Sequence, residues 1–365
     1  MNSLLRLLLK SQHQRNRSGP AQTEKGMTLV ELLVGSIMAF LIITPMLAFV
    51  VDMLNTDRRE QVKSNTEQDI QAAVDFIAQD LSQAIHIYDN NTTTGIPELI
   101  DEGFIPTGPD RTPILVFWKR EIIRSAIPPV GSSVTQPANC PPDPPPAGQA
   151  KLCNDSYVLS LVAYYQVREN LPSIWCQPSG SSCPTRIARY QIKSGLENTK
   201  NLTTGQLYTQ FRPDQERDEA YNAGDPANNE PPFDITRPEL NVTTGADNFD
   251  PPDVLVNYID HTPKQLSGNE CTAALGNPTV TSAGGGSTPI GENTLIVTES
   301  PNPTSPTAIN SFYACVDTAR NIARVTIRGN SLRRLQNSNV PSSSDNSAFF
   351  PTASVQVQGR GALGQ

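Results

Sequence analysis

The sequence has few of the residues, and none of the short motifs, on which most catalytic and metal sites depend. Its three histidines, His13, His86 and His261, stand far apart, and no two cysteines are spaced as Cys-x-x-Cys. A histidine-based triad or a zinc site is therefore not expected. The patterns GxxxxGK[ST], GxSxG and HExxH are also absent. We predict that the chain is not an enzyme and that any ATP-driven step uses a separate ATPase.

Positive charge is scarce beyond the first 26 residues. Residues 1–26 hold five basic residues and one acidic residue, a net charge of +4, and the whole chain has a net charge of −8, which leaves −12 on the remainder. Nucleic acid is not expected as a partner, because phosphate binding requires a basic surface. A short basic segment followed by a large acidic body predicts a cytoplasmic N-terminus and an extracytoplasmic body.

Charge is missing altogether from Leu32–Val51, twenty consecutive residues that would span the hydrocarbon layer of a membrane as a helix. One carboxylate, Glu31, directly precedes this run and follows the apolar stretch at 27–30. A charged residue inside a membrane helix costs about 2.5–3.5 kcal/mol, so an ordinary anchor has no reason to keep it. A secretory signal peptide does not fit either, because no small-x-small cleavage site follows the run.

These residues closely resemble a known family signal. Residues 25–34, Lys-Gly-Met-Thr-Leu-Val-Glu-Leu-Leu-Val, are similar to the class III signal of type IV prepilins. The resemblance implies that a prepilin peptidase cuts between Gly26 and Met27 and that Met27 is then N-methylated. Glu31 becomes the fifth residue of the mature chain, where the family carries its glutamate.

The resemblance also gives Glu31 a role. Cleavage exposes a charged α-amino group at Met27, which is unfavourable in hydrocarbon without a partner. Glu31 could pair with it within one chain, four residues away on the helix, or with the amine of a neighbouring filament subunit, as the family implies. The alternative is a glutamate that only extends to the membrane interface. Pro45 removes a backbone donor and predicts a helix kink, although membrane helices also tolerate proline.

The helix is predicted to continue to about Asp89, because 55–89 contains no glycine or proline and carries an apolar stripe. The stripe consists of Ile70, Val74, Ile77, Leu81, Ile85 and Tyr88, and the charged residues of the segment, Asp80 among them, are expected on the remaining surface of the helix. The predicted organisation is therefore a leader at 1–26, a transmembrane and filament-core helix at 27–53, an amphipathic extension at 54–89 and an extracytoplasmic head at 90–365.

The head is predicted to be β-rich, which makes the fold α+β and pilin-like, with the helix packed on an antiparallel sheet. Two Pro/Gly/Asn-rich insertions are expected at 128–156 and 198–304. The predicted strands are 114–123, 157–168, 186–193, 294–298, 312–316, 323–328 and 354–358, with the second and third forming a hairpin.

All six cysteines lie in the head, and an even number outside a membrane predicts disulfides. The most local pairing joins Cys140 with Cys153, Cys176 with Cys183 and Cys271 with Cys315, although 15 pairings are possible and free thiols are the alternative. An oxygen-rich run could bind Ca²⁺, but its spacing does not match an EF-hand and a solvated loop is preferred, so no cofactor is expected. That run consists of Asp225, Asn228, Asn229, Glu230 and Asp234.

The large head, its loops and the pattern Tyr-Tyr-Gln-Val-Arg … Ala-Arg-Tyr-Gln-Ile resemble minor pilins and pseudopilins of the J or W type. The long leader and the ending Phe-Pro-Thr-Ala-Ser-Val-Gln-Val-Gln-Gly-Arg-Gly are similar to hormogonium polysaccharide secretion pseudopilins. The resemblance implies a filament for secretion. The partners that it implies are other pilins, an inner-membrane assembly platform, an assembly ATPase and membrane lipid. Polysaccharide export and gliding motility are the functions implied. The alternative is a membrane-anchored extracellular binding protein or enzyme that uses the helix only as an anchor.

Overall fold

The computed structural model describes residues 28–144, 152–168, 174–177, 183–197, 199–221, 252–281, 285–336, 338 and 340–363. Within these residues the protein is α+β, with one long N-terminal helix and antiparallel sheets. The chain divides into two compact units, Met1–Arg58 and Arg59–Gln365. Each unit is described by itself below.

Helix α1, Leu29–Leu81, is 53 residues long and contains no glycine after Gly35. Its buried residues are Thr66, Ile70, Ala73, Val74, Ile77, Asp80 and Leu81. The predicted apolar stripe is thus correct up to Leu81, but the predicted helix end near Asp89 is wrong, and the predicted extension at 54–89 is helical only up to Leu81.

The residues after the helix form strand β1, Ala84–Tyr88, instead of two further helical turns. β1 pairs antiparallel with β2, which satisfies its backbone groups and buries Ala84, Ile87 and Tyr88. The indole N–H of Trp118 also donates to the Tyr88 hydroxyl at 2.9 Å. Tertiary pairing therefore overrides the helical pattern, which sequence periodicity could not reveal.

The larger sheet contains five antiparallel strands in chain order, and short helix α2, Ile96–Asp101, lies between the first two. Its strands are β1, β2 (Arg111–Ile127), β3 (Asn154–Val167), β4 (Thr185–Lys193) and β5 (Asp253–Ile259). The predicted hairpin is confirmed, because β3 pairs antiparallel with β4 and Cys176 and Cys183 lie in their connection.

A second, four-stranded antiparallel sheet has the order β11-β10-β9-β8, and a two-stranded ribbon pairs β6 with β7. The ribbon and the sheet consist of β6 (Thr279–Thr281), β7 (Ser287–Pro289), β8 (Ile296–Thr298), β9 (Phe312–Asp317), β10 (Ile322–Arg328) and β11 (Thr352–Gln358). Helices α3, Glu270–Ala274, and α4, Glu292–Leu295, precede β8.

The head therefore has two main sheets where the sequence predicted one, and the segment 198–304 is not only an insertion. It supplies β5, β6, β7, β8 and both short helices. The predicted strand at 294–298 begins later, at Ile296, because the residues before it form α4. The predicted insertion at 128–156 likewise overlaps the start of β3 at Asn154.

One hydrophobic core joins the buried face of α1 to both sheets. Gly329, after β10, lies against the helix so closely that an added Cβ would meet Ile70 Cγ1 and Thr66 Cγ2 at 2.9 Å. Gly359 and Gly361, which follow β11, lie equally close to the backbone of β1 at Ala84 and Ile85. The helix, the first strand and the residues after the last strand therefore pack into one head.

Three disulfides connect the cysteines in the local pairing that the sequence suggested. The bonds join Cys140 with Cys153, Cys176 with Cys183 and Cys271 with Cys315, across separations of 13, 7 and 44 residues. The third bond ties α3 to β9 and lies in a small core of its own. Each bond restricts the unfolded chain, most strongly where the closed loop is longest.

Candidate assembly site on the N-terminal helix

The start of α1 is capped by its own side chains. The backbone N–H of Glu31 donates to Thr28 Oγ1 at 3.3 Å, and the N–H of Leu32 donates to the Thr28 carbonyl at 3.2 Å. Thr28 is therefore the N-cap and Glu31 is the third helical residue, the arrangement of a capping box. The Thr-x-x-Glu spacing was present in the sequence, and our sequence analysis missed it.

The Glu31 side chain has no partner of its own among the described residues. Its carboxylate is exposed and lies in the first turn, where the positive end of the helix dipole favours a negative charge. The dipole and the cap can orient Glu31, but neither supplies a full positive charge. An amine from outside the described chain could therefore pair with it.

The helix that follows Glu31 is apolar on every side. Every residue from 28 to 61 is exposed, including Phe40 at 70% and Leu41 at 63%. Exposed apolar area of this extent is unfavourable in water at about 25 cal/mol per Å² and marks a surface that lipid or protein covers. Among the described residues, α1 is the one helix that is long and apolar enough to cross a membrane.

Polar groups within this apolar stretch are satisfied by the helix itself. The hydroxyls of Ser36 and Thr44 donate to the carbonyls of Leu33 and Phe40, each at 2.8 Å. Such bonds let small polar residues lie in an apolar environment. The helix continues through Pro45, whose nitrogen cannot donate to the preceding turn, so the predicted kink there stays a prediction.

Other predicted positions fall where the structure gives no description. Gly26 and Met27, the predicted cleavage and methylation positions, lie outside the described residues, and so does the oxygen-rich run from Asp225 to Asp234. Within the described part of the chain, no group of three potential metal-ligating side chains comes together.

The same helix carries a second acidic residue, Asp80, with the opposite surroundings. Asp80 is 7% exposed, although the sequence pattern placed it on the surface. Its Oδ1 accepts from Lys119 Nζ on β2 at 3.0 Å, and its Oδ2 accepts from Tyr164 Oη on β3 and Arg189 Nε on β4, both at 2.7 Å. Asp80 therefore fastens the end of α1 to the three central strands of the larger sheet.

The charge of Asp80 is held by these donors. Burial by itself would raise the pKa of the carboxyl, but the hydrogen bond and charge of Arg189, with Tyr164 and Lys119, outweigh it and lower the pKa below 3.8. A sequence signal did exist, because Lys119 interrupts an otherwise apolar strand at 114–118. A lysine in such a strand requires a buried partner.

Comparison of the chain with protein-family models, with curated proteins and with solved structures finds no match. The arguments for function therefore come from the residues and geometry described above.

Proposed function

We propose that the protein is a structural filament subunit, a minor pilin or pseudopilin, of a type IV pilus or a type II-like secretion filament. In this proposal a prepilin peptidase removes the leader after Gly26, and Leu32–Val51 holds the chain in the cytoplasmic membrane with its head outside. Assembly transfers the apolar helix from lipid to the filament core. A separate ATPase and an inner-membrane platform drive the transfer, and polysaccharide export with gliding motility is the process that the filament would serve.

The observation that carries the proposal is the exposed, membrane-length helix that begins with one capped carboxylate. The uncharged residues from Leu32 to Val51 are all exposed within the described chain. Either lipid or the same helices of other subunits can cover them. A change of surroundings from lipid to neighbouring helices requires no change in the head, which suits a subunit that is stored in a membrane before assembly.

In this proposal Glu31 selects the axial position at which a new subunit joins the filament. A new α-amino group at Met27 and the Glu31 carboxylate would each be unfavourable alone in an apolar environment, and pairing removes both penalties. The pair forms between subunits only at the correct axial step, so register follows from charge. The helix cap at Thr28 keeps Glu31 in a fixed place for this contact.

The decisive experiment removes the charge of Glu31 and keeps the cap that Thr28 provides. Glutamine is also accepted at the third position of a capping box, so Glu31→Gln removes only the charge. We expect Glu31→Gln to insert in the membrane normally but to reach sheared filaments at least about tenfold less than the wild type, because an unpaired amine is left buried. The matched control is Glu67→Gln, an exposed position on the same helix.

Mass spectrometry of the membrane-extracted protein supplies the second measurement. The proposal expects a mature chain that begins with N-methylated Met27. A chain that keeps residues 1–26 would support the alternative, an extracellular binding protein or enzyme anchored by this helix. Wild-type filament incorporation of Glu31→Gln would reduce Glu31 to a helix cap and contradict the proposed pairing.

A further inference from the structure

An open groove of about 610 Å³ lies beside the second half of α1, within the unit Arg59–Gln365. Its volume falls in the range of about 300–1,000 Å³ that ligand sites occupy. Helix α1 forms one wall, β5 forms another, and residues 174–177, which include Cys176 of the Cys176–Cys183 disulfide, form the third. The residues that decide its chemistry are Asp69, Phe76, Trp175, Gln177, Asn257 and Tyr258.

Three aromatic rings line this groove and remain partly open. Phe76 is 43% exposed and Trp175 is 38% exposed, although large aromatic side chains are usually buried when nothing binds them. Each ring is also held by a guanidinium over it. The pairs are Arg189 on Phe76 at 5.8 Å, Arg186 on Trp175 at 5.9 Å and Arg334 on Tyr258 at 4.6 Å. The rings are therefore positioned before any ligand arrives.

Tyr258 is held in an unusual backbone conformation. Its φ is 63°, in the left-handed region that a bulky residue rarely adopts. The Asn257 side chain accepts from the Tyr258 N–H at 2.9 Å, and the Tyr258 carbonyl accepts from the Asn330 N–H at 2.8 Å, so both backbone groups are fixed. Such positions are concentrated at ligand sites, where the surrounding structure maintains them.

The polar groups of the groove are amides and a neutralised ion pair. Gln177 is exposed, and Asn257 Nδ2 donates to the Trp175 carbonyl at 3.2 Å, which fastens the disulfide segment to β5. Asp69 is ion-paired with Arg334, so their charges cancel. An anionic ligand would need a cation that is not already paired, and a purely apolar ligand would leave the amide and carboxylate groups without partners.

A sugar can contact both the aromatic rings and the polar groups of this lining. The C–H face of a pyranose ring is apolar and weakly positive, which suits the negative face of an aromatic ring, and its hydroxyls suit amide and carboxylate groups. The groove is open to solvent, so sugars that belong to a longer chain can enter it. We propose that this groove binds a neutral polysaccharide. The choice of a polysaccharide deepens the proposed role in polysaccharide export and rests on it, but none of these residues belongs to the apolar part of α1 that assembly uses.

The test uses the full chain in detergent, run through native gels that contain hydroxyethyl cellulose, dextran or alginate. At least one of the two neutral polymers is expected to retard the protein, and acidic alginate is expected to have no effect. Tryptophan fluorescence gives an independent readout. The chain has two tryptophans, and Trp118 is fully buried, so a spectral change with polymer reports on Trp175.

The main variant is Trp175→Ala, which is expected to weaken binding about tenfold through loss of stacking. The matched control is Tyr157→Ala on β3, an aromatic residue that is 56% exposed and does not line the groove. Gln177→Ala provides a second variant in case Trp175→Ala disturbs the neighbouring disulfide, and it is expected to weaken binding about threefold, as loss of one hydrogen bond does.

Three results would overturn the proposal: no retardation by either neutral polymer, stronger retardation by alginate, or equal retardation of the wild type and both groove variants. A fluorescence change caused by a partner subunit and not by a neutral polymer would assign the groove to protein contact and also overturn it. Glu31→Gln should bind the polymer like the wild type, so a failure of assembly and a failure of polysaccharide binding are distinguishable.

Discussion

Glu31 and Asp80 lie on the same helix, but their carboxylates differ in exposure to solvent and in hydrogen-bond partners. Glu31 is exposed, and its side chain has no partner in the described chain. Asp80 is almost fully buried and accepts from Lys119, Tyr164 and Arg189. One charge is satisfied by the chain's own fold, and the other is left for a group that the described fold does not contain.

The comparison extends to the two parts of α1 that carry these residues. Up to residue 61 the side chains are exposed, and those from Leu32 to Val51 carry no charge, whereas from Thr66 one face is buried in the head. Substitutions in the buried part should therefore act on the stability of the head, and substitutions in the exposed part should act on assembly.

The largest effect is expected for Asp80→Ala. The substitution leaves Arg189 without the carboxylate of Asp80 and leaves Lys119 with the more distant carboxylate of Glu121 at 3.7 Å, which destabilises the head by about 3–5 kcal/mol. Urea unfolding of the detergent-solubilised chain, followed by the fluorescence of buried Trp118, measures the change. Glu31→Gln should leave the same unfolding curve within about 0.5 kcal/mol of the wild type, because its side chain has no partner in the head.

Asp75→Ala is the matched control, because Asp75 is exposed on the same helix and only accepts a hydrogen bond from Gln71 at 3.0 Å. Its effect should remain within about 0.5 kcal/mol. If Asp80→Ala and Asp75→Ala unfolded at the same urea concentration, the three-strand anchor at Asp80 would contribute nothing to the head.

A smaller effect is expected for Gly359→Ala. An added Cβ at Gly359 would overlap the carbonyl oxygen of Ala84 and the side-chain amide of Asn321, so β1 or the chain after β11 must move. Overpacking of this kind costs about 1–3 kcal/mol. Thermal unfolding monitored by circular dichroism gives the change, with Gly286→Ala as the control in open space.

Gly35→Ala sharpens the comparison from the other side. Nothing lies within 4 Å of a Cβ added at Gly35. The head should therefore unfold like the wild type, and any effect should appear only in filament yield. A change in head stability for Gly35→Ala would contradict the division of roles along α1.

The effect that is smallest near neutral pH comes from a partly buried histidine. Burial lowers the pKa of His86 from 6.5 to about 4, so the folded head keeps the imidazole neutral where the unfolded chain takes up a proton. The stability that this contributes is present above pH 6.5 and is lost as pH falls toward 4, with a slope of at most about 1.4 kcal/mol per pH unit for one histidine.

His86→Phe keeps the ring beside Tyr88, where the centroids are 4.7 Å apart, and removes the titration. Melting temperatures measured between pH 7 and pH 4 should therefore fall less steeply for the variant than for the wild type. The pH dependence of the melting temperature that remains in the variant comes in part from His261, whose pKa is lowered to about 4 by burial and by the charge of Arg168. Identical slopes for variant and wild type would place His86 in contact with solvent.

Local patterns in the sequence predicted the elements that depend on near neighbours. The apolar run at 32–51, the helical stripe from Ile70 to Leu81 and the hairpin of β3 with β4 follow from periodicity and β propensity. The strand at Ala84–Tyr88 did not, because its partner β2 begins at Arg111 and tertiary pairing decides its conformation. The second sheet was missed for the same reason.

The candidate sites also differ in whether a local sequence pattern could predict them. Glu31 was found because its spacing from Gly26 and from the apolar run is a local pattern. Asp80 was placed on the surface because its donors come from β2, β3 and β4, up to 109 positions away in the chain. The groove joins α1, β5 and Trp175 from distant segments, and no short pattern contains them together.

The close packing of Gly359 and Gly361 against β1 also bears on the order of events during synthesis. β1 directly follows the helix and leaves the ribosome early, whereas residues 359–361 follow only after more than 270 further positions have been translated. Until then the side of β1 that these residues cover is open to water and to other chains. A newly made chain therefore has a delay before its head closes, and a chaperone could act within that interval.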